Sequence, residues 1–138
     1  MIIKPDSVTI PGNFDGSLTL LLETKFGVEG LPANSASKIS YSKFDKLLGN
    51  EVSAVKIHKS ALLMHEVTFT NNLAQQFESS TVKVTDEAYL AISSSVFTKN
   101  TADKGGAWQV SLQSTLTADA MTFEENYSKN DAGVGYAD

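Results

Sequence analysis

Two histidines, His58 and His65, are the first side chains to weigh for chemistry, because imidazole is the commonest general base and metal ligand near neutral pH. His65 alternates with Leu63 and Val67 on a run that reads as a strand, and the spacing around it supplies no partners for a metal or a general base. His65-Glu66 also lacks a second histidine four residues on, so the helical zinc-protease geometry is absent. Serines are plentiful, but none stands in a Gly-x-Ser-x-Gly elbow, and Ser93, Ser94 and Ser95 fall in mid-strand, where a hydroxyl faces solvent or a lumen. Asp86-Glu87 and Glu124-Glu125 are paired only in sequence, since neighbours on a strand point to opposite faces and do not readily share a proton. Gly133-Val134-Gly135 opens no helix, which removes a phosphate cradle, and Trp108 and Phe97 read as core or interface anchors. No nucleophile, base and orienter come together. The reading therefore nominates no catalytic, cofactor-binding or metal-binding residue and expects no enzyme.

The elements that carry these residues read as mostly β, from period-2 alternation of Val, Ile, Thr, Phe and Ser between Gly, Asn and Asp clusters. Strands are expected at Ser7 to Ile10, Leu18 to Phe26, from Lys38, Ala61 to Thr70 and Thr81 to Thr85. Leu63, His65, Val67 and Phe69 should share one side of the Ala61 run. One short helix is expected over about 42–57. Ser42 would be its N-cap, Phe44, Leu47 and Leu48 its buried face, and Gly49 a possible stop. Asn71 to Ser80 reads as a loop. Tyr89 to Phe97 and Trp108 to Leu116 read as an antiparallel hairpin around Thr98 to Gly106, and residues 126–138 as a short flexible tail. No internal repeat is evident. The fold class expected is thus mainly β: an antiparallel β-barrel or sandwich with one short helix, 1–138 forming a single domain.

Composition narrows the classes. With 41% hydrophobic and 20% charged residues the chain can build a core without metal or staples, and with no cysteine it has no disulfide, thiolate-metal site or thiol nucleophile. Its net charge of −5, with lysines and acids interspersed, speaks against nucleic acid as a partner. The first residues lack the apolar segment of a signal peptide, and no apolar run approaches the ~20 residues of a membrane helix. Synthesis in a bacterial cytoplasm is expected, with any export proceeding without a signal peptide.

Several stretches resemble the haemolysin-coregulated protein (Hcp) family, the tube subunit of bacterial type VI secretion, related in fold to phage tail-tube proteins. Ile39-Ser40-Tyr41-Ser42-Lys43-Phe44-Asp45-Lys46 is similar to that family's entry into its single helix, and Leu20 to Val28 to its earlier strand. Lys56-Ile57-His58-Lys59 with Ala61 to Phe69 is similar to the basic turn and strand that follow. Tyr89-Leu90-Ala91-Ile92 through Phe97 and Val110 to Tyr127 resemble its later strands. The departures are Thr24-Lys25-Phe26, where the family has a Trp-rich strand end, and the missing Ser-Pro before the helix. The resemblance implies a non-enzymatic subunit that self-assembles into a ring, a hexamer, stacking into a tube and meeting sheath, spike and effector proteins. It also implies a polar lumen, to which Ser93 to Ser95 and Ser111 to Thr117 would contribute. Two other readings stand beside it: a small lectin-like or virion-decoration sandwich with Trp108, Tyr89 and Tyr127 as a ligand platform, and a β-pore-forming toxin suggested by Val67 to Asn72.

Overall fold

Each strand pairs with a segment roughly one coil away in sequence. The computed structural model describes residues 9–10, 18–20 and 37–137. Its strands are β1 (Thr9–Ile10), β2 (Leu18–Leu20), β3 (Ser37–Ser40), β4 (Lys43–Asp45), β5 (Leu48–Gly49), β6 (Val52–His58), β7 (Ala61–His65), β8 (Thr68–Thr70) and β9 (Leu73–Ala74). They continue as β10 (Ser80–Thr85), β11 (Tyr89–Ser93), β12 (Val96–Thr98), β13 (Thr101–Ala102), β14 (Gly105–Val110), β15 (Thr115–Asp119), β16 (Thr122–Glu124), β17 (Tyr127–Ser128) and β18 (Gly135–Ala137). They form four sheets, ordered β3-β7-β11-β15, β1-β4-β8-β12-β16, β5-β9-β13-β17 and β2-β6-β10-β14-β18, here called the first to fourth walls. From β3 on, consecutive strands occupy consecutive walls, so the chain passes through all four and begins again one layer on. The result is a parallel β-solenoid of four coils, β3 to β6, β7 to β10, β11 to β14 and β15 to β18.

This overturns the antiparallel barrel or sandwich. Among the described residues there is no helix, and 42–57 is covered by β4, β5 and most of β6. The apparent helical face has a physical cause. Phe44 and Leu47 both point inward, three residues apart, because Lys46 between them adopts a left-handed conformation (φ 55°) that turns the chain from one wall to the next. A short strand, a corner and a second short strand reproduce the i, i+3 spacing of a buried helix face. A corner likewise divides the run from Ala61 to Thr70. Glu66 (φ 52°) breaks it, so Leu62 and Met64 point inward before the corner and Val67 and Phe69 after it. The expected hairpin is absent too: Tyr89–Ser93 pairs in parallel with Ala61–His65 on one side and Thr115–Asp119 on the other. The polar segment taken for its turn holds β13 and the start of β14. Asn71 to Ser80 contains β9, and the expected tail contains β17 and β18. The part of Leu18 to Phe26 beyond Leu20, and Ser7 and Val8, lie outside the described residues.

The corners recur coil by coil. Tyr41, Glu66, Ser94 and Ala120 (φ 51°, 52°, 49° and 50°) join the first wall to the second, and Lys46, Asn71, Lys99 and Glu125 join the second to the third, all with positive φ. A residue with a side chain costs roughly 1–2 kcal/mol in that region. Hydrogen bonds to the next coil offset the cost: Tyr41 N–H donates to His65 O at 3.1 Å, Glu66 N–H to Ser93 O at 3.1 Å and Ser94 N–H to Asp119 O at 3.0 Å.

Two axial stacks fill the interior. Phe44, Phe69 and Phe97 lie face to face at 4.9 and 4.4 Å between ring centroids, and Phe123 continues the column at 5.7 Å. Beside it runs an amide ladder. Asn72 Nδ2 donates to Phe44 O of the previous coil (3.0 Å) and to Asn100 Oδ1 of the next (2.8 Å), and Asn100 Nδ2 repeats the pattern to Phe69 O and Asn126 Oδ1. These contacts expose the internal repeat that inspection missed. Coil-to-coil offsets are 25, 28 and 26 residues, so no single period aligns the coils, although Phe-x-x-Asn recurs at Phe69, Phe97 and Phe123.

Candidate functional site

The outer face of the first wall brings together two of the polar residues considered from the sequence, His65 and Ser93. Side chains of a strand alternate in direction, so the parallel register turns single positions into rows that run along the axis. One outward row is Ser40, His65, Ser93 and Asp119, and its neighbour is Lys38, Leu63, Ala91 and Thr117. Together they line an open trough of about 440 Å³. His65 Nδ1 lies 2.9 Å from Ser93 Oγ, its Nε2 lies 3.2 Å from Glu66 Oε1, and the Tyr41 ring meets the imidazole edge-on at 6.0 Å. Tyr89 reaches along the face to Thr117 (3.3 Å).

Serine, imidazole and carboxylate in sequence is the arrangement that activates a nucleophile. Here the oxyanion half is wanting. The amide groups nearest Ser93 are committed to the ladder, Ser94 N–H to Asp119 O and Glu66 N–H to Ser93 O, so they are not free to stabilise a developing anion. His65 and Glu66 are also about half exposed, which leaves water to screen their interaction.

The other residues disperse. His58 Nδ1 lies 2.7 Å from Asp86 Oδ2 at the corner leaving the fourth wall, and Asp86 and Glu87 are consecutive left-handed residues there. Ser94 is an exposed corner, whereas Ser95 is buried, its Oγ donating to Ser93 O and accepting from Val67 N–H. Glu125 sits at a corner 3.7 Å from Lys99. Gly133-Val134-Gly135 leads into β18 and its Val134 carbonyl accepts from Ala107 and Trp108 N–H. Tyr89, Tyr127 and Trp108 lie on three different walls, so they form no shared platform. Ser111 is buried with its Oγ on Thr85, and the interior is packed with side chains where the ring reading placed a wetted wall. Val67, Phe69 and Asn72 of the segment once read as pore-forming face this interior. No helix is long and apolar enough to cross a membrane, and no group of three or more His, Asp or Glu is placed to hold a metal ion, among the described residues.

Sequence reasoning missed the second surface, the end of the fourth coil. Among the described residues β15, β16, β17 and β18 are each the last strand of their wall and pair on one side only. Leu90, Ile92 and Phe97 of the third coil are buried, but their counterparts one coil on, Leu116, Ala118 and Phe123, are half-buried or exposed, as are Met121, Trp108 and Val110. Trp108 packs edge-on against Phe123 at 4.9 Å and lies over Gly135, where an added Cβ would collide with the indole. Lys104 clamps the last strand, its Nζ 4.4 Å from the Tyr136 ring and 3.0 Å from Glu78, whose hydrogen bond holds the ammonium above its usual range. Asp119, Glu124, Glu125 and Asp131 make the rim acidic, against Lys129 alone.

The chain matches no protein-family model, no curated protein and no solved structure, so the surfaces must be read from their own geometry.

Proposed function

We propose that the chain is a non-catalytic β-solenoid unit that works by associating with a second copy of itself, end to end, through the open face of its fourth coil. The observation that carries this reading is the change along the axis: Phe97 and Leu90 are 0% exposed, while Phe123 and Leu116 at equivalent positions are half-buried, with no described strand paired beyond β15 and β16. Repeat proteins keep such ends soluble with a polar cap, and exposed strand edges with apolar side chains behind them recruit another chain. A partner must meet four edges at once, and a matching four-walled cross-section is a coil of this same protein. At the opposite end β1 and β2 lie on β4 and β6, so the proposed contact brings two fourth coils together about a two-fold axis.

A lateral ring requires edges around the circumference of a barrel. The solenoid carries its edges at its ends, so its association is axial, and the tube-like hexameric ring is not the assembly that follows. Sedimentation equilibrium from micromolar to millimolar concentration tests the reading. A dimer that tightens as salt screens the acidic rims is expected, and Met121→Lys, at a half-buried position of the same face, should leave the fold intact and the protein monomeric. A monomer at every concentration, or a dimer indifferent to Met121→Lys, would refute it.

A further inference from the structure

We propose that the trough on the first wall is a binding site for a neutral oligosaccharide lying along the solenoid axis. The depression has a cause in the sequence. The third coil places the small Ala91 and Ser93 between Leu63 and His65 on one side and Thr117 and Asp119 on the other. Coils are stacked ~4.8 Å apart, close to the length of one sugar unit, so successive sugars of an extended chain meet successive outward side chains in near-constant geometry.

The chemistry of the two rows suits a saccharide. Ser40, His65, Ser93 and Asp119 offer hydroxyl, imidazole and carboxylate partners for sugar hydroxyls, while Leu63 and Ala91 in the adjacent row offer an apolar strip for the C–H face of the ring. The polar groups are held before any ligand arrives: the imidazole by Ser93, Glu66 and Tyr41, and Thr117 by Tyr89. That lowers the ordering cost of binding. Tyr41, 60% exposed, stands at the rim as a further surface for a sugar.

Two alternatives fare worse on the same observations. An extended peptide gains most of its affinity from a free strand edge, and in mid-wall β7 and β11 are paired on both sides. An acidic polysaccharide would find Lys38 at one end but Asp119 at the other and Glu66 beside His65, so no net positive field draws it in.

The test is nuclear magnetic resonance titration of the intact chain with cellohexaose, a neutral mannan hexamer, hexagalacturonate and an extended neutral peptide. A neutral hexasaccharide should shift the His65 imidazole and the Ala91 and Ser93 amides. Ala91→Trp, which fills the trough from outside the core, should weaken binding by about tenfold or more, equivalent to ~1.4 kcal/mol. The same variant should leave the circular dichroism spectrum and the sedimentation behaviour unchanged, separating this site from the end-to-end contact. Silence with both neutral hexamers, shifts confined to other walls, binding unaffected by Ala91→Trp, or tighter binding of the uronate or the peptide would each overturn the proposal.

Discussion

Replacing Asn100 with leucine tests whether the amide ladder or the apolar stack holds neighbouring coils together. Asn100 is fully buried, and its side chain satisfies four groups of other residues: its Oδ1 accepts from Asn72 N–H (3.1 Å) and Asn72 Nδ2 (2.8 Å), and its Nδ2 donates to Phe69 O (3.0 Å) and to Asn126 Oδ1 (2.9 Å). Leucine fits the position sterically, since Leu47 occupies the same place in the first coil. It would leave Asn72 N–H, Asn72 Nδ2 and Phe69 O short of a hydrogen bond in a region that water does not reach, and Asn126 Oδ1 at the half-exposed end. At ~1–3 kcal/mol for each of the three buried groups, less ~1–2 kcal/mol gained from apolar burial, the net loss is roughly 4–5 kcal/mol. That is a large part of the ~5–15 kcal/mol typical of a whole domain. Asn126→Leu removes the same kind of bonds, to Asn100 N–H, Asn100 Nδ2 and Phe97 O, but at the half-exposed open end, where water can replace them. Its cost should be about 1 kcal/mol. Urea unfolding of both variants measures the contrast. Equal losses, or an Asn100→Leu loss below ~1 kcal/mol, would show that the ladder does not carry the coil-to-coil energy.

Gly135→Ala should push Trp108 off the last strand, red-shifting its fluorescence and destabilising the protein by about 1–3 kcal/mol, whereas an unchanged emission maximum would mean that the indole has another resting place. Glu51 supplies a pH test. Burial alone would raise its pKa, but hydrogen bonds from Lys83 (2.8 Å) and Lys56 (2.9 Å) outweigh burial and hold it below the usual carboxylate range. A lowered folded-state value contributes stability that is present above the unfolded pKa of ~4.3 and lost as pH falls through the folded value. Glu51→Gln should therefore cost under ~1 kcal/mol at neutral pH, the carboxylate being nearly half exposed, and progressively less toward pH ~3. An equal difference in urea midpoint at both pH values would contradict the assignment.

The β character of the chain was legible because Thr81 to Thr85 and Tyr89 to Ser93 alternate cleanly, and they do lie in strands. Pairing direction was not legible. Alternation reports which side of a strand is buried and nothing about whether its neighbour runs parallel, and polar corners such as Thr98 to Gly106 have the same composition as hairpin turns. The corners also lack the glycine that would have marked them, left-handed positions being filled by Tyr41, Lys46, Glu66 and Lys99. The trough was half visible: His65 and Ser93 drew attention singly, but their meeting depends on a 28-residue offset that only the register supplies. The half-buried face of the fourth coil was hidden because Phe123 and Leu116 look like any other core residues until the register places them there.

Because each described strand from β3 on pairs only with strands of the coil before and the coil after, and the stacked phenylalanines and the amide ladder link coils in the same order, the molecule approaches a one-dimensional lattice in which any completed layer is a template for the next. The chain closures required are all of nearly the same size, about 25 to 28 residues, and their entropic cost barely varies along the sequence. Folding should then behave like growth from a nucleus, with the first complete pair of coils as the slow step and later coils adding quickly. Melting should retreat inward from the fourth coil, giving amide exchange that slows from Tyr127 through Thr101 to Leu73 as a staircase with one step per coil.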